Sequence, residues 1–262
     1  MYEFELERPK NLADALALLS DEDAQALGGG QTLIPTLKAR LAMPDTLVSL
    51  TDIAALNGIS TGADGALCIG ATTTHADVAG SDLVFPALAD LAGGIGDPAV
   101  RNRGTIGGSL ANNDPAACYP AAVLATDATI VTSGRTIACD DFFDGLFATA
   151  LDEEELITEI RFPVPERASY QKFAQPASRF ALVGVFVADF GDRVRVAVTG
   201  AGEDGVFRWS QAEAALGQSF SPGAIAALDP PDTDLIGDIH ASAQYRAHLI
   251  KVMTRRAVAA AL

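Results

Sequence analysis

The chain has 262 residues, of which 49% are hydrophobic and 20% are charged, a composition typical of a soluble globular protein with one or two domains. Its net charge of −16, from 18 basic and 34 acidic residues, argues against nucleic-acid binding, which depends on Lys and Arg contacts to phosphates. No apolar run approaches the ~18 residues of a membrane span, and the opening MYEFELERPK is charged from its third residue, so we expect a cytoplasmic protein.

The first part of the chain, up to about residue 165, alternates short predicted strands and helices. After a strand at YEFELER, a helix is predicted from about Asn11, where apolar residues recur at helical spacing. Further strands are predicted at AQALGG, TLVSL, ALCIGATTT, ATIVTS, GRTIAC and ELITEIRFPV. Further helices are predicted at PTLKARLAM, opened by Pro35, and at THADVAGS and VFPALADLAG, whereas residues 97–115 are predicted to form a polar loop.

The pattern changes after Pro163 and Pro165, which together with the charged ERAS mark the best candidate for a linker. Beyond it, YQKFAQ, LVGVFVADF, VRVAVTGAG and GVFRWS are closely spaced predicted strands, with EDG as a hairpin turn. The chain closes with helices, the last of which carries an apolar stripe. We therefore predict an α+β fold, mixed at 1–165 and built from a small antiparallel sheet plus helices at 168–262.

The cysteines and histidines form no metal-binding pattern. Cys68, Cys118 and Cys139 are widely separated and no CxxC occurs, so we expect small buried side chains and neither an iron–sulfur cluster nor a zinc site on this chain. The three histidines are scattered, and each is interpreted as a surface or packing residue.

Two glycine-rich loops are the features that most need an explanation. The first, ALGGGQTLIP at 26–35, has three consecutive glycines, the residue type that loses most freedom on folding. The second, RNRGTIGGSLANNDP at 101–115, places glycines among Ser, Thr and Asn side chains. Each alone could be a structural turn, but together their amides and hydroxyls favour a bound phosphate ester, and the two loops could embrace one diphosphate.

Known nucleotide motifs do not account for these loops. The chain contains no GxxxxGK[ST], which argues against a P-loop nucleotidase. GIGDPA at 94–99 matches GxGxxA, but it follows a predicted helix rather than a strand, and Asp97-Pro98 is expected to interrupt any following helix. A Rossmann site is therefore rejected, and a dinucleotide cradle of another type remains.

The two loops resemble, in the same order, the two flavin-binding signatures of the molybdenum hydroxylase flavoproteins. These are the medium subunits of carbon monoxide dehydrogenase-type and xanthine or aldehyde dehydrogenase-type enzymes. Residues 28–32 stand where the family has Ala-Gly-Gly-His/Gln-Ser, and residues 105–108 match its Thr-Ile-Gly-Gly. LITEIRFP, YQKFAQPASRFALVGV and DIHASAQYRAHLIKVMTRRA are similar to later family segments, so the resemblance covers essentially the whole chain.

The resemblance implies a vanillyl-alcohol oxidase/PCMH-like FAD-binding domain with subdomains at about 1–56 and 57–165, and a C-terminal domain that completes the site. Amides of the first loop would contact the FAD diphosphate, and the second loop would bind from the other side. The implied cofactor-binding residues are Gly28, Gly29, Gly30, Gln31, Thr32, Leu33, Thr105, Ile106, Gly107, Gly108, Ser109, Asn112, Cys118, Lys172 and Phe180. A Cβ at Gly29 or Gly107 is then expected to obstruct FAD or to force an unfavourable backbone, so that Gly29→Val or Gly107→Val gives folded but flavin-poor protein.

Three of these positions depart from the family pattern. Gly28 replaces Ala, which is harmless, whereas Cys118 replaces an Asp that hydrogen-bonds the ribityl hydroxyls, and a thiol is a weaker partner. Phe180 stands where many relatives place Tyr against the flavin ring, and it is either a stacking residue or ordinary core. Lys172 is either a cation near the flavin or a surface lysine.

No catalytic triad or carboxylate pair accompanies these residues, and the acidic run Asp152 to Glu155 is expected to be a solvated turn. The resemblance therefore implies an electron-transfer subunit without substrate chemistry of its own. Molybdenum cofactor and [2Fe–2S] clusters would lie in a large and a small partner subunit of a heterotrimer, and FAD would pass electrons to a quinone, oxygen or NAD. Two alternatives remain open: a self-sufficient oxidase of the vanillyl-alcohol oxidase type, and a non-catalytic binding module with empty loops.

Overall fold

The computed structural model describes residues 1–231 and 233–262, and its first sheet is parallel. This part comprises β1 (Glu5–Glu7), α1 (Leu12–Leu19), β2 (Ala24–Leu27), α2 (Leu33–Lys38) and β3 (Thr46–Ser49). The strand order is β1-β3-β2, and α1 packs its apolar face on the sheet. The prediction of a helix from Asn11 is confirmed, because the Asn11 side chain accepts a hydrogen bond from the Asp14 amide and caps α1.

The second part is a five-stranded antiparallel sheet covered by helices. Its elements are β4 (Ile59–Thr61), β5 (Leu67–Gly70), α3 (His75–Gly80), α4 (Pro86–Gly93), α5 (Pro98–Arg101), α6 (Ile106–Asn112), α7 (Tyr119–Ala125), β6 (Thr129–Thr132), β7 (Thr136–Ala138) and β8 (Ile157–Phe162), with 3-10 turns at Ala54–Leu56 and Cys139–Asp141. The strand order is β4-β5-β8-β6-β7. The last strand of this part, β8, thus lies at the centre of the sheet and closes this part of the fold.

The predicted polar loop at 97–115 is wrong, because α5 and α6 lie within it. The Asp97 carboxylate accepts a hydrogen bond of 2.9 Å from the Val100 amide, and Pro98 occupies the first helical position. Asp-Pro therefore begins a helix here instead of interrupting one. Thr105 caps α6 in the same way. The helix predicted to open at Pro35 begins earlier, at Leu33.

The C-terminal part is a four-stranded antiparallel sheet with the order β12-β11-β10-β9, and two helices pack against it. Its elements are β9 (Arg167–Ala174), β10 (Ala181–Asp189), β11 (Val194–Gly202), β12 (Gly205–Arg208), α8 (Ser210–Gln218) and α9 (Ala243–Ala260). Every residue of β10 and β11 is buried, because α9 covers one face and α7 of the second part covers the other. The predicted α+β fold and the EDG hairpin are confirmed.

A buried arginine joins the C-terminal sheet to the second part. The Arg195 guanidinium on β11 pairs with the carboxylates of Asp127 and Asp140 and lies beside the Cys139 thiol. Burial and then the neighbouring Asp140 raise the pKa of Cys139 to about 11, so the thiol stays protonated. This acidic cluster therefore binds a side-chain cation across the seam between the two parts.

All three cysteines are free and buried, as predicted. Among the described residues, no helix is both long enough and apolar enough to cross a membrane.

Candidate functional site

A cavity of about 590 Å³ lies where the three parts of the chain meet. The first part contributes residues around its glycine loop, the second contributes α6 and the segment before it, and the C-terminal sheet contributes Lys172 and residues 178–180. All of the residues implied by the family resemblance line this cavity except Ile106. Ile106 is fully buried in the hydrophobic core of the second part, where it packs beneath the second loop.

The first glycine loop offers a row of unpaired backbone amides. The strand hydrogen bonds end at Leu27 and the helix begins at Leu33, and Gly30 turns the chain between them with a φ of 73°. Among the described residues, the amides at positions 29–33 have no protein acceptor. Consecutive free amides in such a turn form a concave site for an anion, so the loop has the chemistry that a diphosphate requires.

The second loop differs because the protein itself uses its amides. The Gly107 amide donates to the Ala71 carbonyl at 2.9 Å, and the Gly108 amide donates to Thr105 Oγ1 at 3.2 Å. Ser109 and Asn112, three residues apart on one face of α6, line the cavity, and their side chains have no hydrogen-bond partner among the described residues. Side chains rather than glycine amides are therefore what this loop presents to a ligand.

The glycines also allow the two loops to touch. A Cβ at Gly29 would lie 1.9 Å from the Arg103 carbonyl oxygen, and a Cβ at Gly107 would lie 2.6 Å from the Ala71 Cβ. Both contacts are with protein atoms rather than with the cavity. A side chain at either position would first have to displace packed protein atoms, so we expect it to disturb the packing of the loops as well as any ligand in the cavity.

Lys172 is half-buried in the cavity wall, where protein atoms hold its ammonium group. Its Nζ donates to the carbonyls of Gly94 at 2.8 Å and Arg179 at 3.0 Å, and lies 3.5 Å from the Cys118 Sγ. The Tyr170 hydroxyl is enclosed nearby, and its burial, followed by the proximity of Cys118, raises its pKa well above the ordinary value. Lys172 thus differs from a free surface lysine, because its ammonium is held in place beside the cavity.

Phe180 lies at the mouth of the cavity and is 49% exposed, which excludes the interpretation of it as ordinary core. The preceding Arg179 has a φ of 63°, and the Phe180 carbonyl accepts a hydrogen bond of 2.8 Å from the Gln175 amide. This closed turn holds the ring at the rim, where it is free to cover a flat ligand.

The lining residues that sequence reasoning missed include His75 and Glu155. The Glu155 side chain is only 7% exposed, and it accepts hydrogen bonds from Arg135 Nη2 at 2.9 Å and Thr132 Oγ1 at 2.5 Å. The hydrogen bonds from Arg135 are the main reason why the pKa of Glu155 is lowered to about 2. The predicted solvated turn is therefore wrong at Glu155. Its partner Arg135 is distant in sequence, so no local signal could reveal the pair.

His75 lies beneath the second loop and is 5% exposed. Burial, followed by the charge of Arg101, lowers its pKa to about 4, so the imidazole is neutral near pH 7. The sequence interpretation of His75 as a packing residue describes its burial but not its place on the cavity wall. A lone histidine carries no sequence signal that would identify this position.

Comparison with known proteins places this chain in a family. The family model described as "FAD binding domain in molybdopterin dehydrogenase" matches residues 2–165. The carbon monoxide dehydrogenase medium chain of Hydrogenophaga pseudoflava is 34% identical over 98% of this chain and 96% of that protein. The nicotine 6-hydroxylase medium subunit of Paenarthrobacter nicotinovorans is 35% identical over 95% of this chain and 94% of that protein.

Solved structures agree with these relatives. A chain of the reconstituted CO dehydrogenase from Oligotropha carboxidovorans superimposes with a TM-score of 0.90 at 34% identity, over 99% of this chain and 98% of that chain. A chain of quinoline 2-oxidoreductase from Pseudomonas putida 86 gives a TM-score of 0.87 at 29% identity, over 99% and 97%. The protein therefore belongs to the FAD-binding medium subunits of the molybdenum hydroxylases, and it is an oxidoreductase subunit with an electron-transfer role.

Proposed function

We propose that the cavity holds FAD with the diphosphate of the cofactor against the free amides at positions 29–33. The observation that carries this assignment is the row of unpaired amides facing a cavity at the junction of three structural parts. Neutral donors bind an anion without adding a competing charge, and glycine lets the backbone approach it closely. The cavity volume of about 590 Å³ lies in the range typical of cofactor sites.

The remaining cavity residues then act on the rest of the cofactor. The free side chains of Ser109 and Asn112 are placed to hydrogen-bond the diphosphate or the ribityl hydroxyls. Lys172 supplies a fixed positive charge on the wall, and Phe180 covers the mouth. Cys118 is a buried thiol in contact with Lys172, so it orders the lysine more than it binds hydroxyls.

When bound, FAD supplies the ability to accept electrons from a one-electron donor and deliver a pair to an acceptor. The three cysteines of the chain lie apart in sequence and are free, so the cysteines of this chain provide no set of ligands for an iron–sulfur cluster. We therefore place the [2Fe–2S] clusters in a small partner subunit and the molybdenum cofactor in a large one, within a heterotrimer. Relatives named as medium subunits or chains belong to dehydrogenases or hydroxylases of carbon monoxide, nicotine and glyceraldehyde, which supports this arrangement.

An anaerobic flavin-reduction assay on the purified single chain tests the proposal. The chain should show flavin absorbance, and carbon monoxide, aldehydes and purines should leave that absorbance unchanged. Adding the iron–sulfur and molybdenum subunits should then allow one of these substrates to bleach the flavin.

Rapid bleaching by any of these substrates without another protein would overturn the proposal in favour of a self-sufficient oxidase. Absence of flavin absorbance after purification and FAD addition would favour a non-catalytic module. Dithionite, which reduces any accessible flavin, serves as the positive control for both arms.

A further inference from the structure

His75 lies on the wall of the cavity, against the second glycine loop. It is the first residue of α3, and its backbone amide donates to the Gly104 carbonyl at 2.9 Å, which ties it to the second glycine loop. The imidazole lies against that loop so closely that a Cβ at Gly104 would be 2.5 Å from His75 Nε2. Only 5% of the residue is exposed, and it still forms part of the cavity wall.

Neither ring nitrogen of His75 has a hydrogen-bond partner among the described residues. Nδ1 is fully enclosed. Nε2 is not fully enclosed, and it belongs to a side chain that lines the cavity. A buried polar group without a partner is costly, so a nitrogen that opens onto a ligand cavity is a place where a ligand atom would stabilise the protein.

The surroundings also indicate which nitrogen carries the proton. Because the imidazole is neutral near pH 7, it has a single N–H. None of the described residues offers Nδ1 a hydrogen-bond partner, so a proton there would be a buried donor without an acceptor. We therefore assign the proton to Nε2, which makes His75 a donor directed at the cavity.

The anion site of the first loop is adjacent to this donor. A Cβ at Gly29 would lie 2.7 Å from the Gly104 Cα, and a Cβ at Gly104 would lie 2.5 Å from His75 Nε2, so Gly104 packs closely against both residues. We propose that His75 is a further FAD-binding residue that donates a hydrogen bond from Nε2 to a diphosphate oxygen of the cofactor. This inference rests on the proposed function, since it requires that the cavity holds FAD.

Tyr119 provides a matched control for this position. Its ring lies 5.3 Å from that of His75, measured between centroids, and its buried hydroxyl likewise finds no partner in the part of the chain that the structure describes. Tyr119 is completely buried and lies outside the cavity lining. Removing its hydroxyl therefore disturbs the same cluster without removing a group that could reach the cofactor.

The experiment measures FAD affinity in the full chain for the wild type and for His75→Leu, His75→Gln and Tyr119→Phe. His75→Leu should raise the Kd for FAD about tenfold or more, the usual loss for a hydrogen bond to a charged group. His75→Gln should stay within about threefold, because its side-chain nitrogen can replace an Nε2–H donor. Tyr119→Phe should leave the Kd unchanged. Phosphorus NMR of bound FAD should show a shifted diphosphate resonance in His75→Leu only.

A second measurement uses the wild type and needs no variant to fold. The chain has three histidines, so nitrogen NMR of histidine-labelled protein gives few imidazole signals to assign. Addition of FAD should shift the Nε2–H signal of His75. An unchanged signal, or an unchanged Kd and unchanged phosphate resonances in His75→Leu, would overturn this inference. The proposed function would survive those results as long as the wild type binds FAD.

Discussion

The two glycine loops look alike in sequence but use their glycines for different purposes. In the first loop the amides at 29–33 remain free, and Gly30 supplies a positive φ that regular residues avoid. In the second loop the Gly107 amide is bound to Ala71, and the missing side chain allows the backbone to pack. The glycines of the first loop thus provide free amide donors, whereas those of the second loop allow close packing of the backbone. Similar glycine-rich sequences therefore serve different chemical roles in the two loops.

Gly29→Ala tests the contact between the loops and should have the largest effect. The added Cβ would lie 1.9 Å from the Arg103 carbonyl oxygen, so the two loops must separate. We expect the free energy of unfolding of the apo protein to fall by about 3 kcal/mol or more, as measured by urea denaturation. Wild-type stability combined with lost FAD would instead show that this glycine only makes room for the cofactor.

Gly107→Ala tests whether the second loop is a packing feature. A Cβ there meets the Ala71 Cβ at 2.6 Å, and we expect a loss of about 2 kcal/mol of apo stability. Gly217→Ala in α8 is the matched control, because no atom lies within 4 Å of its added Cβ. The control should be neutral or stabilising by up to about 1 kcal/mol. Equal thermal denaturation of both variants would contradict the comparison.

Two adjacent asparagines separate ligand binding from stability in the second loop. Asn112→Ala should raise the Kd for FAD about two- to tenfold with apo stability unchanged, because its side chain is free and faces the cavity. Asn113→Ala should show the reverse, since its Nδ2 donates to the carbonyls of Gly145 at 2.8 Å and Ala148 at 2.7 Å. Fluorescence titration with FAD and urea denaturation measure the two effects, and identical behaviour of both variants would refute the distinction.

The cavity wall should show its effect only in acid, as a loss of stability when the pH falls. Glu155 has a pKa of about 2 in the folded protein against 4.5 ordinarily, so its stabilisation is present above pH 4.5 and is lost as pH falls towards 2. His75 has a pKa of about 4 against 6.5, so the unfolded chain binds a proton first and stability falls between pH 6.5 and 4. Urea denaturation as a function of pH should show the lower window missing in Glu155→Gln and the upper window missing in His75→Leu. Unchanged profiles in either variant would contradict that assignment.

Features with a local cause could be predicted from the sequence, and features with a distant cause could not. The strands of the C-terminal sheet and the helix after Asn11 follow from periodicity and capping. Helix α6 was missed because its glycines and asparagine have low helix propensity, which Thr105 capping and burial of Ile106 overcome. The burial of Glu155 depends on Arg135, and the position of His75 depends on its contact with Gly104, so both required the folded chain.

The two buried faces of β10 restrict how relatives of this chain can exchange parts. Val183, Val185 and Val187 belong to the core under α9, whereas Phe186 and Ala188 belong to the core of the preceding part. A recombination event at the turn after Phe162 would pair one parent's helix α7 with the other parent's strand β10. In such a hybrid, the side chains of α7 and β10 would come from different parents, and their volumes would have to match in one close-packed core. A boundary placed after residue 165 would therefore divide a packed core, even though the turn there separates two sheets.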